Sequence, residues 1–207
     1  MQDKPFNDIK NEILTVKSEI FPVIDKAQGA KMKEEIEKAK ADGDSVGGVT
    51  ETAIIGLPEG VGEPWFDSVE SILSHALFSI GGIKGVEFGN GFEMTKMRGS
   101  AANDAFALEN GKVVTLTNNN GGVNGGITNG MPVIFKCAVK PTPSIYKTQK
   151  TINFLKKEET EINIRGRHDP AIIRRICPVI DAVAALAVAD LLQQKYGADV
   201  MTKGIGK

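Results

Sequence analysis

ICPVIDAVAALAVADLL, residues Ile176–Leu192, is the stretch of sequence that decides the fold. Two acidic side chains, Asp181 and Asp190, and the ring of Pro178 argue against a membrane span. A helix that is apolar on nearly all sides must then be buried by protein. We therefore expect Ala171–Lys195 to form a core helix, broken or kinked at Pro178. A chain of 207 residues is small for covering such a helix on every side.

Upstream of this helix, helical and strand patterns occur in mixed order. Apolar residues at helical spacing predict helices over Lys26–Asp42, ending at Gly43, and from Val69 to Ile80, the latter with a capping box of Asp67 and Glu70. Runs rich in β-branched residues predict strands at Val46–Leu57, Ile83–Phe88, Lys112–Thr117, Val133–Val139 and Thr160–Arg165. Because these elements do not follow a regular βαβ alternation, the sequence predicts an α+β fold.

The chain shows no internal repeat and no linker of distinct composition, which predicts a single domain over residues 1–207. Residues 1–25 carry only weak signals, so we expect poor order there, and residues 196–207 are interpreted as a tail. The first ten residues are polar and do not have the pattern of a signal peptide. These features are typical of a cytoplasmic protein.

Charge is unevenly distributed along the chain, although the formal net charge is only -1. Residues 1–80 contain 8 Lys and Arg against 15 Asp and Glu, whereas residues 81–207 contain 17 against 11. The basic second part suits a small anionic ligand. A nucleic-acid partner is disfavoured, because only 6% of residues are aromatic and none interleave with the basic ones.

The cysteines and histidines do not have the spacing of a metal site. Cys137 and Cys177 each lie in an apolar run, which predicts reduced, buried thiols. His75 and His168, the only histidines, are separated by most of the chain. We therefore predict no metal centre.

Asn and Gly make up ten of the thirteen residues in the loop NNNGGVNGGITNG, residues Asn118–Gly130. Such a loop can direct several backbone N–H groups at an anion or a flat polar ring. The pattern is neither a P-loop nor the dinucleotide-binding fingerprint. The residues alone leave two interpretations open, a binding loop or a mobile hairpin tip.

Two further segments combine turn chemistry with polar side chains. In GRHDP, residues Gly166–Pro170, Arg167 can grip a phosphate or carboxylate, and Asp169 is placed to cap the following helix. Either a ligand site or a simple helix cap explains this segment. In KPTPS, residues Lys140–Ser144, two prolines stiffen a turn that follows a strand. Arg174 and Arg175 are interpreted as a solvated helix face.

Taken in order, the segments resemble one enzyme family over about residues 20–195. The motifs that carry the resemblance are GDSVGG (Gly43–Gly48), SIGGIKGVEFGNGF (Ser79–Phe92), MRGS (Met97–Ser100), TNNNGGVNGGITNGMP (Thr117–Pro132), KPTPSI (Lys140–Ile145), GRHDP (Gly166–Pro170) and PVIDAVAALAVADLL (Pro178–Leu192). Each motif is weak alone, but the ordered series is specific. The chain is identified as similar to chorismate synthase.

The resemblance implies a lyase of the shikimate pathway, which leads to the aromatic amino acids. Members of the family eliminate phosphate and a ring proton from 5-enolpyruvylshikimate 3-phosphate to give chorismate, and they need reduced FMN. The family fold has antiparallel sheets around a helical layer, a β-α-β sandwich, and assembles as a homotetramer. We expect an incomplete version of that fold here.

The resemblance also assigns roles to individual residues. Asp169 matches an aspartate near the flavin N5 that helps to remove its proton, and Arg167 matches an arginine that contacts flavin and substrate. The remaining matches are all flavin contacts: Gly81, Gly82, Gly125, Lys140, Pro141, Thr142, Pro143 and Ser144.

Several motifs of the family do not occur in this sequence. FGESHG, RRRPGQ, PGHAD and RSSAR are absent, and with them both catalytic histidines of the family. Neither His75 nor His168 matches those histidines. We therefore expect this chain to be the C-terminal part of such an enzyme and inactive alone. The alternative is a non-catalytic module that binds flavin or another anion, or that only oligomerises.

Overall fold

The apolar stretch around Pro178 lies within a long helix, α5, that spans Ile173–Tyr196. The structure, a computed structural model, describes residues 9–204. One stripe of α5 is buried and includes Ile180 and Leu191, whereas Leu186 on another face is 72% exposed. The expected burial is thus confirmed for one face only. By length and composition α5 also passes as a membrane-spanning helix, which is a weak indication for a single helix.

Five other α-helices occur in the described residues: α1 (Ile9–Lys17), α2 (Lys26–Ala41), α3 (Val69–Phe78), α4 (Gly99–Ala102) and α6 (Val200–Lys203). Helix α2 ends as predicted, with Gly43 in the left-handed region at φ 65°. The predicted capping box at α3 is wrong. Ser68 is the N-cap, and its hydroxyl accepts a hydrogen bond from the Ser71 N–H at 3.0 Å.

The strands form one three-stranded sheet and three hairpins. They are β1 (Gly48–Ile54), β2 (Ile83–Phe88), β3 (Phe106–Glu109), β4 (Lys112–Thr115), β5 (Val123–Asn124), β6 (Ile127–Thr128), β7 (Val133–Val139), β8 (Gln149–Asn153) and β9 (Glu158–Ile162). The sheet has the order β1-β7-β2, and the hairpins β3–β4, β5–β6 and β8–β9 are antiparallel. This mixture of helices and small sheets confirms the α+β class.

The chain divides into two compact units. The first contains the residues up to Gly48 and Val139–Ile176, and the second contains Val49–Ala138 and the residues from Cys177 onward. The second unit holds a well-packed core whose largest fully buried side chains are Phe135, Leu73, Leu77, Ile180, Val61, Val69, Val133 and Cys137. The single domain expected from the sequence stays a prediction.

Candidate functional site

Three segments that are far apart in sequence meet in the first unit. The hydroxyl of Ser45 donates a hydrogen bond to the carbonyl of Thr142 at 2.7 Å, across 97 residues. The next residue, Val46, donates its N–H to the carbonyl of Pro170 at 2.8 Å. The segment Gly43–Gly48 therefore joins KPTPS to GRHDP, the two segments predicted to bind a ligand in this unit.

At Gly47 the backbone of this junction approaches the backbone around Val139 and Pro141 closely. A Cβ atom at this position would lie 2.3 Å from the carbonyl oxygen of Val139 and 3.1 Å from the Pro141 nitrogen. Backbone atoms cannot move aside as a flexible side chain can, so only glycine fits here. The sequence singled out Gly43–Gly48 as part of the resemblance, but it assigned no role to Gly47.

Tyr146 holds the GRHDP turn from one side. Its N–H donates to the carbonyl of Gly43, and its hydroxyl donates to the carbonyl of Gly166, both at 2.9 Å. Its ring meets the His168 ring edge-on, with centroids 4.6 Å apart, and Nε2 of His168 lies 2.9 Å from the Ile164 carbonyl oxygen. These contacts give His168 a structural role in the turn.

Asp169 does not cap α5, because that helix begins four residues later, at Ile173. The helix-cap interpretation is therefore wrong. Its carboxylate accepts a hydrogen bond from the N–H of Ala171 at 3.3 Å and pairs with Arg175, whose Nε lies 3.2 Å from Oδ2. The sequence placed Arg175 on a solvated face. The side chain is exposed, but it also fixes the orientation of the predicted catalytic carboxylate.

A groove of about 610 Å³ lies beside Asp169 in the first unit. Arg174 and Arg175 line it, together with Lys33, whose ammonium group lies 5.2 Å from the centre of the Phe21 ring. The carboxylates of Glu19, Glu37 and Asp169 line it as well, so the lining has no net positive charge. The groove thus offers both signs of charge beside an aromatic ring.

The predicted flavin-binding side chains of the first unit offer unpaired polar groups. Arg167 and Lys140 are exposed, and neither has an ion-pair partner among residues 9–204. The hydroxyl oxygen of Thr142 is buried and has no hydrogen-bond partner there. A buried hydroxyl without a partner is costly. The same state is shared by side-chain oxygens of Gln28, Thr50, Glu70 and Asn118.

The Asn/Gly loop lies in the second unit and is not a mobile tip. The buried carboxylate of Asp104 accepts hydrogen bonds from the Thr117 hydroxyl and the Asn119 N–H, both at 2.7 Å. It also accepts two from Asn120, through the backbone N–H and the side-chain amide, both at 2.9 Å. Sequence reasoning missed Asp104, since nothing in the residues between it and the loop indicates the contact.

A second polar anchor holds the far end of this loop. The hydroxyl of Thr128, which is buried, donates to the carbonyl of Pro58 at 2.6 Å and accepts from the N–H of Val61 at 2.9 Å. Between the two anchors, Gly125 and Gly126 form the turn of the β5–β6 hairpin, at φ 59° and 91°. A Cβ atom on Gly125 would meet nothing within 4 Å, so this predicted flavin contact faces open space.

Gly81 and Gly82 lie in the short connection between α3 and β2. Gly82 has φ 99°, a value that strongly favours glycine, and Gly81 is open to added atoms. The structure places both in the second unit with Gly125, whereas Lys140–Ser144, Arg167 and Asp169 belong to the first.

The two thiols are poor nucleophiles. Burial raises the pKa of Cys137 to about 11, even though a contact with Thr50 acts in the opposite direction. Burial, with a contribution from Asp181, also raises the pKa of Cys177. Both cysteines are free thiols, as predicted, but only Cys137 is buried and Cys177 is half-buried. Over residues 9–204, no three His, Cys, Asp or Glu side chains cluster as metal ligands would.

The chain is similar to known proteins of one family. The family model described as chorismate synthase matches residues 5–193. A chorismate synthase of Thermococcus gammatolerans is 51% identical over 166 residues, which is 80% of this chain and 47% of that protein. One of Methanococcoides burtonii is 44% identical over 191 residues, 91% of this chain and 51% of its own length. The chain thus spans about half the length of these curated relatives.

A solved structure shares the fold as well. A crystal structure of chorismate synthase superimposes with a TM-score of 0.75 at 28% sequence identity, covering 97% of this chain and 54% of that one. The match of the family model to most of the chain, the identities near 50% and the shared fold lead to one conclusion: the chain belongs to the chorismate synthase family.

Proposed function

We propose that this chain supplies the flavin-side part of a chorismate synthase site. The reaction is the 1,4-elimination of phosphate from 5-enolpyruvylshikimate 3-phosphate: the carbon–oxygen bond to phosphate breaks, a ring proton leaves and a new double bond forms. The observation that carries the proposal is the junction of KPTPS and GRHDP by Gly43–Gly48, beside a groove that is lined by cations and carboxylates.

The residues of the first unit fit FMN, which carries a phosphate and a flat polar ring. Lys140 and Arg167 offer unpaired cations for anionic oxygens, and the buried hydroxyl of Thr142 lacks a partner that a polar ligand atom would provide. In the second unit, Gly125 offers open backbone. When bound, reduced FMN supplies the ring chemistry that the elimination needs.

The chain's own contribution to proton transfer is the carboxylate of Asp169. Arg175 and the Ala171 N–H hold both of its oxygens, so that the group is oriented before any ligand arrives. In this proposal Asp169 accepts the proton of the flavin N5, and Arg167 binds anionic groups of cofactor and substrate. The acid groups that protonate the leaving phosphate come from family segments that this sequence does not contain.

An anaerobic assay with reduced FMN and the phosphate substrate tests the activity. We expect little or no turnover by the 207-residue chain alone, and recovery on adding a polypeptide that carries the FGESHG, RRRPGQ, PGHAD and RSSAR segments. Full turnover by the chain alone would contradict the proposed division of the site. We also propose that the complete enzyme is a cytoplasmic homotetramer, which light scattering of the reconstituted complex would test.

A flavin titration tests the binding role directly. Arg167→Met is expected to raise the Kd for FMN at least about tenfold, since it removes a charged contact. Arg165→Met, two residues away in the same exposed loop, is the matched control and should change it less than about twofold. The alternative, a non-catalytic flavin-binding or oligomerising module, predicts FMN binding or self-association that no added polypeptide converts into turnover.

A further inference from the structure

The Asn/Gly loop of the second unit is organised by one buried carboxylate. Asp104 is only 5% exposed, and each of its oxygens accepts two hydrogen bonds from the loop. Two of the donors are the successive backbone N–H groups of Asn119 and Asn120. A single side chain thereby fixes the direction of the backbone where the loop begins.

Close backbone packing adds to this anchor. A Cβ atom on Gly121 would lie 2.4 Å from the nitrogen of Gly89, and one on Gly89 would lie 2.1 Å from the carbonyl oxygen of Asn119. The N–H of Asn90 donates to that same carbonyl at 2.8 Å. The Asp104 end of the loop is therefore locked by polar contacts and by backbone contact together.

In the hairpin turn, Gly125 is open on the side where a Cβ would point, whereas its neighbour Gly126 accepts a hydrogen bond from the Val69 N–H at 3.0 Å. The loop is tied down by Asp104 at one end and by Thr128 at the other, but no atom lies within 4 Å of a Cβ built on Gly125. A ligand that binds an already ordered loop does not have to offset the entropy of ordering it. The anchors therefore affect affinity even though they do not face the turn.

We propose that Asp104 is a positioning residue for flavin binding. It holds the Asn/Gly loop in the conformation that presents the Gly125 turn, and it does not itself contact the cofactor. The inference rests on the proposed function for the identity of the ligand. The loop conformation that it explains is a property of the chain alone.

Asp104→Asn in the full 207-residue chain is the decisive variant. It keeps the size of the side chain but turns an acceptor into an amide whose hydrogens face the donors of Asn119 or Asn120. We expect amide hydrogen exchange at Asn119, Asn120 and Gly121 to accelerate at least about tenfold while the amides of β7 keep their rates. The Kd for FMN is expected to rise about tenfold.

Asp25→Asn is the matched control. Asp25 also accepts backbone hydrogen bonds, from Ala27 and Gln28 at the start of α2 in the first unit, and Asn serves equally well at such a position. Its Kd for FMN should stay unchanged. If Asp104→Asn does not fold, Thr117→Val replaces it, because it removes one donor and keeps the carboxylate; its effects should be smaller in the same direction.

Two results would overturn the inference. Unchanged exchange in the loop would show that Asp104 does not hold it, and faster exchange with an unchanged Kd would show that loop order is irrelevant to binding. If the unaltered chain does not bind FMN, the proposed function fails instead, and the exchange rates alone then decide whether Asp104 positions the loop.

Discussion

The two units hold their candidate loops by different means. In the first unit, KPTPS and GRHDP are joined through Gly43–Gly48 by hydrogen bonds to backbone carbonyls and by the close approach at Gly47. The hydrogen-bonded partners there lie 97 or more residues apart in sequence. In the second, the Asn/Gly loop is arranged around Asp104, whose partners all lie within 16 residues of it. The stability of the first arrangement should be sensitive to side-chain atoms added at Gly47. The stability of the second should be sensitive to loss of the Asp104 charge.

Gly47→Ala should produce the largest effect. The added methyl group would overlap a backbone carbonyl, and we expect a loss of about 3 kcal/mol in the free energy of unfolding, measured by urea denaturation. Gly29→Ala is the control in the same unit, because its Cβ would make ordinary contact with Val23 at 3.5 Å. Placed in the first turn of α2, it should be neutral or stabilising. Equal losses in both variants would contradict the steric account.

As the pH falls, the loop of the second unit should lose stability at a higher pH than the core of that unit. Burial alone would raise the pKa of Asp104, but the hydrogen bonds from Asn120, Thr117 and Asn119 outweigh it and lower the pKa. A carboxylate with a lowered pKa in the folded state contributes its full stability above its ordinary pKa of about 4. That contribution is lost as the pH falls from there through the folded-state pKa.

Unfolding free energies of the wild type and Asp104→Asn between pH 7 and pH 3 test this dependence. At neutral pH we expect the variant to be less stable by about 2 kcal/mol, the contribution of hydrogen bonds to a charged group. The gap should close as the pH falls below about 4. A gap that stays constant down to pH 3 would rule out the titration of Asp104 as the cause.

Tyr146→Phe separates one side-chain bond from the backbone contacts of the first unit. It removes the hydrogen bond to the Gly166 carbonyl and keeps the ring against His168. We expect a loss of about 1 kcal/mol in unfolding free energy. Tyr196→Phe is the control, since the hydroxyl of Tyr196 makes no hydrogen bond among the described residues. A loss much larger than this would mean that Tyr146, not Gly47, dominates the junction.

Lys147→Met should have the smallest effect. The ammonium of Lys147 lies 2.6 Å from Oδ2 of Asp44, but both side chains are about half exposed to water. The side-chain hydrogen bond raises the pKa of Lys147 and lowers that of Asp44. We expect no resolvable shift in the urea midpoint in 1 M salt, where surface charges are screened. A clear shift would show that charge matters in the first unit too.

Local patterns predicted much of the fold. The bounds of β2 and β7 agree with the predicted strands, and α2 and α3 occupy the predicted helical segments. In β7 and α3 the apolar periodicity corresponds to a buried face, so the signal lies within the element itself. The hairpin β8–β9 was only partly predicted, because every residue of Glu158–Ile162 is exposed and no alternation marks the strand.

The candidate site was predicted in its segments but not in its contacts. KPTPS, GRHDP and the Asn/Gly loop were singled out from turn residues and the family resemblance. Asp104, Gly47 and Arg175 were not, because their importance depends on partners brought close only by the folded chain. A lone aspartate, a glycine and an arginine carry no periodic signal in one sequence.

The contact between Asp104 and the Asn/Gly loop also closes the base of a hairpin. Strands β3 and β4, which belong to the second unit, follow Asp104 and end just before Thr117, and the N–H of Leu116 donates to the carbonyl of Ala105 at 2.9 Å. The turn of this hairpin, Asn110–Gly111, takes part in none of the anchoring hydrogen bonds of Asp104 and Thr128 described above. It is therefore a suitable insertion point for a fluorescent reporter. The reporter would be attached to an anchored hairpin and would respond to changes in the Asn/Gly loop without contacting it.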